Sequence, residues 1–245
     1  MRVLLATDGS ESSLEAAQFL TRFQFSQKDE ILVLHVVSEI PYEDDYHAKI
    51  KKFIKRVSPK ILNDTVKKLE SLQAKIRTLE EDGYPDITII DVAGGIKADL
   101  IVTGARGLTG IQLFFLGSVA RSIAINSPQP VLVVKQAARE RRENMKVLVA
   151  SDGSDCSNVT ADLLTSLPFP RETELMVLNV SWSAFSDIPE RFSLEINDRI
   201  KEDVARAKTL EYEGAQRTLE QTKTHISKRF TDIREMIRIG EPAEE

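Results

Sequence analysis

Residues 2–10 of the chain read RVLLATDGS, and residues 146–154 read KVLVASDGS. The same displacement along the chain carries ILVLHV at residues 31–36 onto LMVLNV at residues 175–180. Two separated blocks that recur in one register indicate an internal duplication. We therefore expect two copies of one structural unit, at residues 1–135 and 146–245, joined by a polar linker at residues 136–145.

Each copy opens with a short apolar run that ends in Asp-Gly-Ser, which is typical of a strand followed by a tight turn. In the first copy, the serines and the acid at residues 10–13 can cap a helix, because apolar residues follow at helical spacing. The apolar run at residues 31–37 is continuous, which predicts a strand buried on both faces of a parallel sheet. Shorter apolar runs at residues 87–90, 100–103 and 131–134 predict three more strands.

Between these runs, residues 62–81 predict one long amphipathic helix. Its apolar stripe would consist of Val66, Leu69, Leu72, Ile76 and Leu79. Strands that alternate with helices predict an α/β fold. We expect two tandem, open, doubly wound, Rossmann-like domains.

The composition excludes several classes of protein. Hydrophobic residues make up 42% of the chain and charged residues 29%, the balance of a globular protein with a core. The formal net charge of −5 predicts no nucleic-acid or membrane partner. A single cysteine, Cys156, excludes a disulfide framework, and the N-terminal apolar run is too short for a signal peptide. We expect a cytoplasmic protein.

Glycines cluster after the predicted strand at residues 100–103. Gly104 and Gly107 come first, and after nine intervening residues Gly117-Ser118 precedes a helical pattern. Glycine lets a backbone approach a ligand closely, and the amide N–H groups at a helix N-terminus favour a phosphate. The same glycines could serve only to make tight turns. Spacing alone leaves both interpretations open.

Other segments add to this glycine pattern. Together with ATDGS at residues 6–10 and LHV at residues 34–36, it resembles the universal stress protein family. ADLIVTG at residues 98–104 and PQPVLVVK at residues 128–135 are similar to that family too. The resemblance implies an adenine nucleotide α-hydrolase-like domain with a parallel sheet of order 3-2-1-4-5. It also implies ATP as the ligand, with AMP or ADP as alternatives.

The resemblance assigns roles to individual residues. Ala6 and Asp8 would meet the adenosine, Val36 would line the adenine slot, and Thr103 and Gly104 would lie along the ribose. The phosphates would be wrapped by Gly107, Gly117, Ser118 and Val119, with Arg106 as a further candidate. Mg²⁺ could accompany the phosphates, held mainly by phosphate oxygens and water. The last strand, with Val131 and Val133, would pair subunits as a homodimer or the two copies as a pseudo-dimer.

The chain contains neither a P-loop lysine motif nor a recognisable nucleophile–base pair. Together with this absence, the resemblance implies a nucleotide-dependent regulator or interaction protein of the stress response, with at most weak ATP hydrolysis. Two alternatives stay open: a hydrolase or transferase acting on adenine nucleotides, and a nucleotide-free dimerisation scaffold. We expect His35 to be structural, and Cys156 to be a bystander rather than a nucleophile.

Both copies look incomplete against this pattern. Only nine residues, 91–99, separate two predicted strands, which is short for a parallel crossover. The second copy reaches GEP at residues 240–242, where the family begins a helix, and carries neither a glycine loop nor the last two strands. We expect residues to be absent at both places, with a natural deletion as the alternative. An unbroken chain through residues 86–93 would contradict the first expectation.

Overall fold

The computed structural model describes residues 1–39, 45–106, 116–135, 144–181 and 198–242. The chain divides into two compact units, Met1–Arg141 and Arg142–Glu245. The predicted linker falls mostly on residues 136–143, which lie outside the described residues.

The first unit alternates strands with helices. Its strands are β1 (Arg2–Ala6), β2 (Glu30–Ser38), β3 (Lys75–Gly83), β4 (Leu100–Gly104) and β5 (Val131–Val134). Its helices are α1 (Glu11–Leu20), α2 (Asp45–Lys68), α3 (Pro85–Gly95) and α4 (Ser118–Asn126). The sheet has the order β3-β2-β1-β4-β5, and all of its strand pairs are parallel. This topology confirms the doubly wound α/β fold.

The core of the first unit explains its continuous apolar strands. Leu4, Leu34 and Ile101 lie on one sheet face, where Ile89 of α3 and Ile123 of α4 join them in a buried cluster. Val3, Leu5, Ile31 and Val33 are fully buried as well. Because adjacent residues of a strand point to opposite faces, both faces of the sheet are covered.

The predicted helix at residues 62–81 is wrong at both ends. Helix α2 begins at Asp45 and ends at Lys68, and Ile76 and Leu79 belong to β3. β3 is an edge strand that pairs only with β2 in the described sheet, so most of its side chains remain at least partly exposed and many are charged. The three-residue spacing of its apolar residues imitates a helix. Pairing with β2, which local spacing does not encode, makes it a strand.

The predicted strand at residues 87–90 is also wrong, because these residues lie in α3. Pro85 occupies the first turn, where its missing N–H costs no hydrogen bond. Ile89 is 4% exposed and Ile87 is 56% exposed, so the β-branched run has one buried and one open side. Packing against the sheet outweighs the weak helix propensity of β-branched residues.

Helix α3 also removes the apparent gap in the crossover. It runs unbroken through residues 86–93 and connects β3 to β4, so the expectation of absent residues at this place is wrong. The Gly-x-Pro start is present as Gly83-Tyr84-Pro85. The strand misplaced at residues 87–90 had concealed it.

The second unit contains three strands and two helices. They are β6 (Lys146–Ala150), α5 (Asp155–Ser166), β7 (Glu174–Ser181), α6 (Asp198–Ile226) and β8 (Ile233–Ile239). The sheet has the order β6-β7-β8 with parallel pairs. Among the described residues β6 pairs with β7 alone, whereas β1 lies between β2 and β4. Leu148 of β6 is 61% exposed, while Leu4 at the corresponding place in β1 is fully buried.

In the part of the chain that the structure describes, no helix combines the length and apolar character needed to cross a membrane.

Candidate functional site

The order of the strands locates a crevice at one edge of the first sheet. From β1 the chain continues to β2 on one side, and from β4 it continues to β5 on the other. β1 and β4 are neighbours, so the order in which the chain adds strands to the sheet reverses between them. In open α/β sheets, ligands bind beyond the carboxyl ends of the strands at such a reversal. Asp8 follows β1, and Gly104 ends β4.

The turn after β1 holds Asp8 in a defined position. The Asp8 carboxylate accepts hydrogen bonds from Ser10 N at 3.0 Å and from Ser10 Oγ at 2.5 Å. Gly9 has a φ of +77°, a conformation that disfavours any residue with a Cβ. The Ser10 side chain caps α1 by accepting from Ser13 N at 3.3 Å, as the serine pattern predicted.

Thr7 anchors this turn to three neighbouring elements. Its N–H donates to Leu34 O at 2.9 Å, which extends the pairing with β2. Its carbonyl oxygen lies 2.8 Å from His35 Nδ1. Its hydroxyl lies 3.1 Å from Ser13 Oγ of α1 and 3.0 Å from Thr65 Oγ1 of α2. Thr7 is buried, and its backbone and hydroxyl groups all have partners.

Gly104 brings the end of β4 against the first turn of α1. A Cβ at this position would lie 2.6 Å from the carbonyl carbon and oxygen of Ser12. Two residues further on, Arg106 N donates to Ser12 Oγ at 3.2 Å. The absent side chain therefore lets the ends of β1 and β4 and the start of α1 converge.

The loop between β4 and α4 closes at its base. Gly117 N donates to Ala105 O at 2.8 Å, so the two ends of the loop lie side by side. Residues 107–115, with the predicted Gly107, lie outside the described residues. The structure therefore describes the two ends of the glycine loop, residues 105–106 and 116–117, which we call its frame.

Helix α4 presents its N-terminus at this frame. It begins at Ser118, with Gly117 as its N-cap residue, and its first turn has neither a side-chain cap nor an acidic residue. Helix α1, in contrast, has Ser10 as a cap and Glu11 in its first turn. The N–H groups that begin an α-helix need acceptors from outside it, and the helix dipole favours a negatively charged one.

An apolar wall lies on the sheet face that α3 and α4 cover. Ala6 is part of the buried cluster there, and Val36 and Val119 pack against it while remaining partly exposed. Thr103 is buried at the end of β4, with its hydroxyl 3.3 Å from Gly104 O. The structure thus brings the predicted residues of β1, β2, β4 and α4 to one end of the sheet. Arg106 is half-buried beside Ser12.

Sequence reasoning missed Ser12 and Thr65. Both act through contacts with residues far away in the sequence, Gly104 and Thr7 respectively. The second unit repeats the contact of Thr65, because Thr222 Oγ1 of α6 lies 2.8 Å from Ser151 Oγ, just as Thr65 Oγ1 lies 3.0 Å from Thr7 Oγ1. The position of Ser12 is taken in the second unit by Cys156, which is exposed.

The second unit repeats the turn but not the rest of the site. Gly153 has a φ of +78°, and Ser154 N donates to the Asp152 carboxylate at 2.9 Å. Hydrogen bonds from the side chain and backbone of Ser154 lower the pKa of the Asp152 carboxyl. Within the described residues, no strand lies beside β6 as β4 lies beside β1. The crevice between β1 and β4 has no described counterpart there.

Metal ligands do not gather among the described residues. No group of three or more His, Cys, Asp or Glu side chains in this part of the chain is arranged to hold an ion.

Comparison with known proteins extends these observations. A family model described as the universal stress protein family matches residues 1–135. The universal stress protein MJ0531 of Methanocaldococcus jannaschii is 34% identical over 143 residues, which are 57% of this chain and 84% of that protein.

Solved structures are similar as well. A universal stress protein from Archaeoglobus fulgidus is 23% identical with a TM-score of 0.61, over 99% of this chain and 80% of that one, and it shows the fold. A universal stress protein family member from Arabidopsis thaliana, solved with AMP bound, is 20% identical with a TM-score of 0.44. That match covers 56% of this chain and 93% of the Arabidopsis chain.

Proposed function

Because the chain belongs to the universal stress protein family, we propose that its first unit binds an adenine nucleotide between β1 and β4, with ATP as the main ligand. AMP and ADP are the alternative ligands. The observation that carries this proposal is the convergence of Asp8, Gly104 and the uncapped start of α4 at the point where the strand order reverses. In this proposal the protein is a nucleotide-dependent regulator of the stress response, acting in the cytoplasm where such nucleotides are abundant.

The proposed binding mode divides the site into two halves. Adenosine lies on the apolar wall of Ala6 and Val36, with Asp8 and the backbone of Thr103 and Gly104 along the ribose. The phosphates lie at the start of α4. Their proposed contacts are Arg106, Gly107, Gly117, Ser118 and Val119. A negative charge at a helix N-terminus is stabilised by about 0.3–1 kcal/mol at an exposed site, and the free backbone N–H groups there can donate hydrogen bonds to phosphate oxygens.

Mg²⁺ would enter with the nucleotide in this proposal. Phosphate oxygens and water can supply most of its octahedral ligands, which suits a site whose described part contains no cluster of acidic ligands. We propose binding and signalling as the main activity. ATP turnover well above the buffer rate in the purified protein would instead support an adenine-nucleotide hydrolase or transferase.

The glycine at the base of the loop offers a direct test. We expect Gly117→Val to weaken ATP binding at least about tenfold, equivalent to about 1.4 kcal/mol, because a branched side chain there crowds the approach of a phosphate to α4. Isothermal titration calorimetry with MgATP measures this loss. Gly95→Ala is the control, since a Cβ at Gly95 meets no atom within 4 Å. Mass spectrometry of nucleotide that co-purifies with the wild type identifies the ligand, and the absence of any binding would favour the nucleotide-free scaffold.

For the second unit we propose a second family domain without a phosphate loop, over residues 146–245, after a linker at residues 136–145. Its support is the recurrence of the turn at Gly153 and of the hydroxyl contacts of Ser151. This tandem arrangement predicts one bound nucleotide per chain, a stoichiometry that the same calorimetric titration measures. Two bound nucleotides per chain would contradict it.

We further propose that β5 pairs chains, or the two units of one chain, through Val131 and Val133. Among the described residues, β5 is an edge strand of four apolar residues, three of them partly exposed, whereas the opposite edge strand, β3, is rich in charge. We expect Val133→Lys to raise the dimer dissociation constant at least about tenfold, because a charged side chain opposes burial at the edge. Sedimentation velocity measures it, with Thr78→Lys on β3 as the control. An unchanged dimer would contradict pairing through β5.

A further inference from the structure

The buried side chain of His35 contacts the site from behind. His35 lies on β2, and its Nδ1 is 2.8 Å from the carbonyl oxygen of Thr7. A carbonyl oxygen can only accept, so the ring donates through Nδ1–H. Thr7 is the residue directly before Asp8, and its other polar groups bind Leu34, Ser13 and Thr65. The hydrogen bond from His35 therefore completes the anchoring of the turn that carries Asp8.

The second unit contains the same anchor with a different donor. Ser151 takes the place of Thr7, with its N–H donating to Leu178 O at 2.9 Å and its hydroxyl 3.2 Å from Ser157 Oγ. Asn179 takes the place of His35, and its Nδ2 donates to Ser151 O at 2.8 Å. The two units thus keep the length and direction of one hydrogen bond while exchanging an imidazole for an amide.

This exchange shows which feature of the side chain at position 35 the two units share. Both side chains place one N–H donor at the carbonyl oxygen of the corresponding residue, Thr7 or Ser151. Only the imidazole has a second nitrogen. His35 Nε2 is buried and has no hydrogen-bond partner within the described part of the chain. A buried nitrogen that no substrate or metal ion can reach can serve neither as a general base nor as a metal ligand.

We infer that His35 is a positioning residue for the nucleotide site, acting through Nδ1–H on the carbonyl of Thr7, and that asparagine can replace it there. The inference rests on the proposed nucleotide binding, because the effect of His35 on the position of Asp8 is measured through the affinity for the nucleotide. Without the donor, the buried Thr7 carbonyl would be left unpaired, which is costly in a protein interior. Rotation of the peptide that joins Thr7 to Asp8 toward another partner would relieve that cost and move the carboxylate out of place.

Two substitutions of His35 test this inference through the dissociation constant for MgATP, measured by calorimetry. His35→Asn keeps an N–H donor, and we expect its dissociation constant to stay within about threefold of the wild type. His35→Leu keeps the bulk and removes the donor, and we expect binding at least about tenfold weaker, equivalent to about 1.4 kcal/mol. Equal weakening by both substitutions, or none by His35→Leu, would overturn the inference.

A matched control separates positioning from general stability. Val33 lies two residues before His35 on the same face of β2, is fully buried, and is not a hydrogen-bond partner of Thr7. Val33→Ala should lower the melting temperature without weakening MgATP binding in the folded protein. If Val33→Ala weakens binding as much as His35→Leu does, His35 acts through stability alone and the inference fails.

The ring itself provides a readout that needs no nucleotide. Nitrogen-15 NMR of histidine-labelled wild-type protein should show Nδ1 protonated and Nε2 bare in neutral His35. The opposite tautomer would overturn the inference even if MgATP binds. If the wild type binds no nucleotide, the proposed function fails, while the NMR result still establishes whether the hydrogen bond exists.

Discussion

Replacing Leu4 with alanine is expected to lower the free energy of unfolding of the first unit by about 2–5 kcal/mol. Leu4 is fully buried in the middle of β1, in the cluster that contains Leu34, Ile101 and Ile123. The substitution removes apolar contacts and leaves a cavity that rigid neighbouring strands on both sides cannot fill. Denaturant titration monitored by amide hydrogen exchange reports this loss for the first unit separately.

The duplication supplies the matched control. Leu148 occupies the corresponding place in β6 but is 61% exposed, because the described part of the second unit contains no counterpart of the helices α3 and α4 that cover Leu4. We expect Leu148→Ala to change the free energy of unfolding of the second unit by less than about 0.5–1 kcal/mol, as for most exposed positions. Comparable losses from the two substitutions would show that Leu148 is covered in solution.

Replacing Gly104 with alanine is expected to destabilise the first unit by about 1–3 kcal/mol, the usual cost of overpacking a tight interior. The added Cβ would lie 2.6 Å from backbone atoms of Ser12, which cannot rotate away as the end of a side chain can. The first turn of α1 must shift away from β4. That shift opens the frame of the glycine loop, so we expect MgATP binding to weaken at least about tenfold as well, or about 1.4 kcal/mol.

Gly95→Ala is the control for Gly104→Ala. Gly95 is the last residue of α3, and a Cβ there meets no atom within 4 Å. Alanine is favoured over glycine in helices by up to about 1 kcal/mol, so we expect equal or greater stability and unchanged binding. Thermal denaturation and calorimetry measure the two effects in parallel. Stability and binding that are both unaffected in Gly104→Ala would contradict the close packing of β4 on α1.

Much of the first unit followed from local patterns. The apolar runs correctly predicted β1, β2, β4 and β5. For β1, β2 and β4 the reason is that a strand covered on both faces must be apolar throughout. Ser10 was predictable as a helix cap, since capping depends on a hydroxyl a few residues away along the chain. The start of α4 at Gly117-Ser118 was predictable as well, from the helical pattern of the residues that follow it.

Residues 69–95 did not follow from local patterns. Edge strand β3 has apolar residues at a helix-like spacing, and α3 has the β-branched residues of a strand. In both cases the local preference is weak, about 1 kcal/mol or less per residue, and pairing with β2 or packing on the sheet exceeds it. One misplaced strand then made a complete crossover look too short.

Local sequence specified the duplicated strand–turn–helix units and the glycines of the proposed nucleotide site, because turns, caps and buried strands depend on residues close together in the chain. Long-range packing specified how the site is assembled. Ser12 meets Gly104, and His35 and Thr65 meet Thr7, only after β1, β2, β4, α1 and α2 have come together. These contacts join residues far apart in the sequence, so only the folded chain defines them.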